Sequence, residues 1–131
     1  MRNGIQQYQQ THILTSSGVQ LVVVLYDGAI QAMQLAREAI IRNNQADKAR
    51  FMHRAVNVVT ELSNVLDMER GGDIAVSLRR LYDYVLAELL QANLHHQHEK
   101  LDGPIKCLTT LREAWQTVAF RGSEAYAGAG R

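Results

Sequence analysis

The fold is best read from one stretch, residues 19–41, which runs Val19-Gln-Leu-Val-Val-Val-Leu-Tyr-Asp-Gly-Ala-Ile-Gln-Ala-Met-Gln-Leu-Ala-Arg-Glu-Ala-Ile-Ile41. At about 100° per residue its polar side chains fall on one narrow strip of a helix, and nearly everything else is apolar. The polar strip consists of Gln20, Asp27, Gln31, Gln34 and Glu38. A helix in a small domain buries an apolar stripe of roughly 100°, so this one carries more apolar surface than it needs.

The apolar surface of this helix divides into two parts. We expect one part to be the core stripe: Leu21, Leu25, Ala29, Ala32, Ala36 and Ala39. The other part is an apolar flank: Val23, Tyr26, Ile30 and Met33. Either neighbouring helices cover this flank, or it binds another molecule.

Three more amphipathic segments follow the first, and no alternating strand pattern competes with them. The second helix is predicted from about Ala46 to Met68. The Gly71-Gly72 pair separates it from a third helix, for which Asp73 is a candidate cap. The apolar stripe expected to face the core on this helix is Ile74, Leu78, Leu81, Val85, Leu89 and Ala92. The last helix begins near Pro104, with Asp102 as its candidate cap.

Ser17 and Gln20 match a capping box at the start of the first helix. Helices of this length joined by short loops pack as antiparallel neighbours. The sequence therefore predicts an all-α, antiparallel four-helix bundle over residues 16–120. An N-terminal arm, residues 1–15, is expected before it and a flexible tail, residues 121–131, after it.

Composition narrows the classes of function. The 131 residues are 47% hydrophobic and 21% charged, with a formal net charge of +1, so no strong positive field attracts nucleic acid. Cys107 is the single cysteine, which favours a reducing compartment. The polar N-terminus does not resemble a signal peptide, and we find no uninterrupted apolar run of about 18 residues. We expect a cytoplasmic protein without membrane insertion.

No pattern of catalytic or metal-ligating residues stands out. A di-iron bundle requires Glu-x-x-His motifs, and none occurs. His95, His96 and His98 form the one histidine cluster, which we interpret as a solvated loop between helices. We expect no metal, no cofactor and no enzyme activity. A histidine phosphotransfer bundle using His53 or His98 is the alternative.

A short internal repeat is more informative. Leu25-Tyr26-Asp27 on the first helix recurs as Leu81-Tyr82-Asp83 on the third. A tyrosine has an apolar ring and a polar tip, so both tyrosines suit either the edge of a core or the rim of a groove. Tyr82, Leu86 and Asn93 share one helical sector beside Leu89, and an amide in an apolar sector requires a partner.

The same residues carry a resemblance to a known family. The sequence is similar to the flagellin-specific export chaperones of bacterial flagella over about residues 5–119. The matching motifs, in order, are Tyr8-Gln9-Gln10-Thr11, Leu14-Thr15, Leu21-Val22, Leu25-Tyr26-Asp27-Gly28-Ala29, Glu61-Leu62, Leu66-Asp67, Gly71-Gly72-Asp73-Ile74-Ala75, Leu78, Leu81-Tyr82-Asp83-Tyr84, Leu89, Ala92-Asn93, Leu111-Arg112 and Trp115.

The resemblance implies a cytosolic chaperone that binds the disordered C-terminal segment of flagellin, prevents premature polymerisation and delivers it to the flagellar export gate. It also implies that the N-terminal arm occupies part of the groove, and we add the expectation of weak homo-oligomers in the absence of cargo. We expect the groove to be lined by Tyr8, Leu14, Val23, Tyr26, Ile30, Met33, Tyr82, Leu86, Leu89 and Asn93.

Overall fold

The structure, a computed structural model, describes residues 14, 15 and 17–129, with side chains as far as residue 120. This part of the chain forms four α-helices and one 3-10 turn, which confirms the predicted all-α class. The elements are α1 (Val19–Ile41), α2 (Gln45–Asn64), α3 (Met68–His95), the 3-10 turn (His98–Leu101) and α4 (Asp102–Ala129).

Contacts between the helices show an up-down-up-down arrangement. Late in α1, Arg37 Nε lies 3.1 Å from Asp102 Oδ1 at the start of α4. Earlier in α1, Asp27 accepts a hydrogen bond from Arg112, further along α4. These two helices are therefore antiparallel. α1 packs most extensively against α2 and next against α4, whereas α3 packs against α2 and less closely against α4. Helices α1 and α3 thus lie on a diagonal of the bundle.

In the first half of α1 the core positions lie one residue further along the chain than predicted. Tyr26 is fully buried, whereas Leu25 is half-buried and Leu21 is 52% exposed. The second half, built on the alanines, is confirmed as core, because small side chains let neighbouring helices approach closely. The buried residues of α1 are Val19, Val22, Tyr26, Ala29, Ala32, Met33, Ala36, Ala39 and Ile40.

Helix α3 shows the same shift. Tyr82 is buried and Leu81 is exposed, while Ala75 replaces Ile74 as the first core position. The shift has the same cause in both helices, because the two tyrosine rings meet in the interior. Val85, Leu89 and Ala92, predicted as core, are buried.

The start of α1 near Gly18 agrees with the prediction, but its capping box is absent, and the start of α3 differs from the predicted one. The N-cap of α1 is Gly18, which makes no side-chain cap, and Ser17 instead donates its N–H to Thr15 Oγ1 at 3.2 Å. Helix α3 begins before the glycine pair, because Asp67 caps it by accepting from the Arg70 N–H at 2.9 Å. The expected break appears inside α3, where Gly72 has φ 55° and ψ −134°.

The last helix starts close to its expected position. Asp102 is its first residue rather than its cap, and Pro104 is buried in the first turn, where a missing N–H is tolerated. The helix continues to Ala129, so residues 121–129, expected as a flexible tail, are helical. The alanines of this segment favour that continuation.

By length and composition alone, α1 could cross a membrane. Nine of its 23 side chains are buried inside the bundle. Core packing therefore accounts for part of its apolar composition, and core helices of the same length and composition occur in proteins that do not enter a membrane.

Two glycines provide a matched test of backbone strain, since a Cβ added at either Gly28 or Gly72 meets no atom within 4 Å. Gly28 lies within α1, so Gly28→Ala should raise the free energy of unfolding by about 0.5–1 kcal/mol. Gly72 has a conformation that other residues rarely adopt, so Gly72→Ala should lower it by about 1–3 kcal/mol. Urea unfolding of both variants measures the two effects. Changes of the same sign would contradict this assignment of the backbone.

Candidate binding surface

Three buried aromatic residues from three helices meet at the centre of the bundle. The hydroxyl oxygens of Tyr26 (α1) and Tyr82 (α3) are 2.5 Å apart and share a hydrogen bond. The Trp115 Nε1–H of α4 donates to the Tyr26 hydroxyl at 3.2 Å. The Tyr26 ring centroid lies 6.3 Å from each of the other two. The internal repeat of the sequence therefore marks the two tyrosines that connect the diagonal helices.

Burial sets the protonation of this cluster. Desolvation raises the pKa of Tyr82 to about 12, and it raises the pKa of Tyr26 as well. Both phenols are thus neutral across the physiological range, and the cluster is a structural hydrogen-bond network. Burial also raises the pKa of the Cys107 thiol, which leaves it protonated and weakly nucleophilic near neutral pH.

Four residues expected in the groove lie in the core instead. Tyr26, Met33, Tyr82 and Leu89 are each at most 1% exposed. In this closed bundle they contribute no surface to a ligand. Their apolar character is explained by packing within the bundle.

The partly accessible groove candidates lie on different sides of the molecule. Val23 lines a small cavity that also includes Phe120 of α4, which places it on the α1–α4 side. Ile30 is half-buried on the same helix. Leu86 is half-buried on α3, and Asn93 is exposed near the end of that helix, where its carbonyl accepts a bond from Lys48 of α2. The structure therefore does not bring these partly accessible candidates of α1 and α3 together in one groove, and the Asn93 side chain is exposed.

Two of the expected groove residues, Tyr8 and Leu14, belong to the N-terminal arm. Tyr8 lies outside the described residues, whereas Leu14 is half-buried. The Leu14 carbonyl accepts a hydrogen bond from the Asp67 N–H at 2.9 Å. Thr15, 4% exposed, donates from Oγ1 to the Val65 carbonyl at 3.0 Å. These bonds attach the chain before α1 to the junction of α2 and α3.

The largest accessible apolar surface of a single helix belongs to α3. Ile74 is 56% exposed, Leu90 54% and Leu94 65%. The helical positions divide these side chains between two flanks, and the hydroxyl of Tyr84 on one flank lies against Gly103 of α4. The α4 flank consists of Ile74, Leu81 and Tyr84, and the α2 flank of Leu86, Leu90 and Leu94.

Sequence reasoning missed most of the residues on these flanks. Ile74 and Leu81 belong to the predicted core stripe of the third helix, and the sequence pattern predicts no role for Leu90 and Leu94. The signal was the internal repeat, because a helical phase set by Tyr82 moves Leu81 out of the core. Exposed apolar surface on a helical bundle is typical of proteins that bind other polypeptides.

In the histidine segment, His96 connects the end of α3 to the region where α1 and α2 join. His96 Nδ1 lies 3.2 Å from Lys48 Nζ, and its Nε2 lies 3.1 Å from Asn43 Oδ1. Because an ammonium group only donates, Nδ1 is the acceptor and Nε2 carries the proton. His98 Nε2 lies 3.1 Å from Glu99 Oε1. Among the described residues, no group of three or more histidine, cysteine or acidic side chains could hold a metal.

Comparisons with known proteins agree with this picture of a helical binding protein. The sequence matches the model of the family "Flagellar protein FliS" over residues 1–122. It is 32% identical to the flagellar secretion chaperone FliS of Salmonella typhimurium over 126 residues, covering 92% of this chain and 93% of that protein. The FliS proteins of Vibrio cholerae and Bacillus subtilis are 29% and 28% identical, and the alignments cover 90% and 88% of this chain and 90% and 86% of those proteins.

The fold and its exposed α3 flanks define the general class, a four-helix bundle with a surface suited to binding polypeptides. The matches define the family within that class. The chain belongs to the FliS family of flagellar secretion chaperones.

The aromatic cluster predicts unequal effects for two tyrosine variants. Tyr26→Phe removes the hydroxyl that serves both Trp115 and Tyr82, so it should lower the free energy of unfolding by about 2–3 kcal/mol. Tyr82→Phe removes one bond and should lower it by about 1 kcal/mol. Urea denaturation followed by circular dichroism measures both. Equal losses would show that the Trp115 bond contributes nothing.

The raised pKa of Tyr82 predicts a loss of stability in alkali. The unfolded phenol ionises near pH 10, whereas the folded one requires about pH 12. The stabilisation is therefore fully present below about pH 10 and is lost as the pH rises from there through about 12. The free energy of unfolding, measured by urea across this range, should fall less steeply for Tyr82→Phe than for the wild type. The same slope against pH in both proteins would contradict the raised pKa of Tyr82.

Proposed function

We propose that this chain binds the disordered C-terminal segment of flagellin in the cytoplasm and acts without catalysis. Binding prevents premature polymerisation, and the complex delivers flagellin to the flagellar export apparatus. The names of its relatives, flagellar secretion chaperones, support a role in handling flagellar cargo.

The observation that carries the proposal is the apolar surface of α3. The part of this helix after the break at Gly72, residues 73–95, is about 35 Å long at 1.5 Å per residue. Apolar side chains are exposed from Ile74 near its start to Leu94 near its end. A ligand of helical and extended pieces could follow this length, with its apolar face against the chaperone as in helix-in-groove recognition.

Exposure on both flanks of α3 favours a ligand that wraps the bundle. The α4 flank and the α2 flank point to different sides, so one straight helix could not cover both. Burying an apolar side chain contributes about 1.5–3 kcal/mol, and ordering a disordered segment offsets part of the total. The expected complex is stable yet reversible, as delivery of cargo requires.

The N-terminal arm is suited to cover the same surface before cargo binds. Leu14 is held at the α2–α3 junction and packs beside Gly71 and Ala75 at the beginning of α3. An arm tethered there has an effective concentration of about 1 mM near α3. We propose that Tyr8 contributes to this cover, which would limit self-association until cargo displaces it.

The phosphotransfer alternative has no structural observation in its favour. His53 Nε2 lies 3.1 Å from Asn57 Nδ2 on the same exposed helix face. His98 has one ring nitrogen beside Glu99 and the other buried without a hydrogen-bond partner among the described residues. The ring nitrogen of His98 that does not face Glu99 is buried, and Nε2 of His53 is occupied by Asn57, so neither arrangement favours phosphorylation.

Calorimetry against the C-terminal ~40 residues of flagellin from the same organism, a length suited to helix-in-groove binding, tests the proposal. Ile74→Asp and Leu90→Asp should each weaken binding at least about tenfold, because each places a charge where an apolar side chain is buried in the complex. Gln91→Asp adds the same charge at an exposed polar position of α3 and is the matched control.

The outcomes separate the proposal from its alternatives. Wild-type affinity in both apolar variants would exclude the α3 flanks as the binding surface. An equal loss in Gln91→Asp would indicate a non-specific effect of charge. Loss in one apolar variant alone would limit the ligand to that flank and contradict wrapping. Acid-labile phosphorylation of His53 or His98 by a kinase would instead support the phosphotransfer function.

A further inference from the structure

A second candidate surface lies on α2, and its lining includes no residue of α3. A shallow cavity of about 430 Å³ opens on this helix. Its base contains Phe51 and Val58, both half-buried. We call it the α2 pocket, and its lining residues are Arg50, Phe51, His53, Arg54, Asn57 and Val58.

The ionisable side chains that line the α2 pocket are all basic. It contains two arginines and a histidine and no carboxylate. Arg50 lies 3.3 Å from Asp47, one turn earlier, and its guanidinium lies 4.7 Å above the centre of the Phe51 ring. Among the described residues Arg54 forms no ion pair. Glu61 is the next carboxylate along α2. This face therefore has positive charge that the bundle itself does not balance.

The α2 pocket has hydrogen-bonding groups that could serve a polar ligand. The Asn57 amide nitrogen donates to His53 Nε2 at 3.1 Å. His53 Nε2 then accepts, so Nδ1 carries the ring proton and can donate outward. The same bond leaves Asn57 Oδ1 available as an acceptor. The pocket thus offers donors for carboxylates, one acceptor for a backbone N–H and an apolar base.

We propose that the α2 pocket binds an acidic segment of a partner protein, with one large apolar side chain inserted over Phe51 and Val58. Carboxylates on either side of that side chain pair with Arg54 and Arg50, and charge complementarity orients the segment. This site shares no lining residue with the α3 flanks and does not rest on the proposed binding of flagellin.

The size and composition of the patch favour a peptide over other anions. Nucleic acid is bound through extended basic stripes, whereas this pocket has two arginines and the whole chain a formal net charge of +1. Anionic membranes recruit clusters of four to eight basic residues. An apolar pocket edged by a few cations fits a single anchoring side chain flanked by acidic residues.

The test is an NMR titration of the full chain with an acetylated and amidated peptide, Glu-Glu-Trp-Glu-Glu. Shift changes should concentrate in residues 50–58. A peptide with glutamine in place of each glutamate, and one with alanine in place of tryptophan, should both bind more weakly. Arg54→Gln should weaken the acidic peptide about fivefold, the effect of one charge pair at a partly exposed site.

Arg80→Gln is the matched control, because Arg80 is an exposed arginine on α3. The affinity of this variant for the peptide should stay within about twofold of wild type, because Arg80 does not line the α2 pocket. Equal binding of the glutamate and glutamine peptides, or shifts centred elsewhere, would overturn the proposal. It would also be overturned if phosphatidylglycerol vesicles or single-stranded DNA bound through Arg54 and the acidic peptide did not.

Discussion

The hydrogen bond between Tyr26 and Tyr82 is the contact on which the bundle depends. It connects α1 and α3, which lie on a diagonal and otherwise share little surface. Trp115 adds α4 to the same point. Because buried hydroxyls and indole N–H groups are costly without partners, the three side chains fix the rotation of three helices at once. A small rotation of any one of them would leave a buried polar group unsatisfied.

The rotation of α1 and α3 about their axes determines which side chains are exposed. With Tyr82 facing inward, Leu81 and Ile74 turn toward solvent on one flank of α3, while Leu90 and Leu94 are exposed on the other. With Tyr26 inward, Leu21 and Val24 are likewise exposed on α1. The apolar surface available to a partner is therefore a consequence of the polar contact in the core. Proteins that lack a partner rarely expose so much apolar area.

Side chains and backbone groups also hold both ends of the bundle. At one end, Thr15 bonds to the Val65 carbonyl and fixes the chain before α1 against the α2–α3 junction. At the other, His96 joins the end of α3 to Asn43 and Lys48 in and beside the α1–α2 connection. Both sites use groups whose hydrogen bonds are specific in direction. The ion pairs between α1 and α4 are largely exposed and contribute less.

The sequence by itself determined the helical class, the number of helices and the approximate position of each connection, because apolar spacing and glycine placement are local properties. It also identified the family through short motifs in a fixed order. It did not determine the rotation of α1 and α3, since both helices are apolar over a wide arc and periodicity fits two phases equally well. Tertiary packing chose between them by bringing two tyrosines and a tryptophan together. For the same reason the sequence placed Tyr26 and Met33 on a groove, and only the packed bundle shows them in the core and the α3 leucines outside.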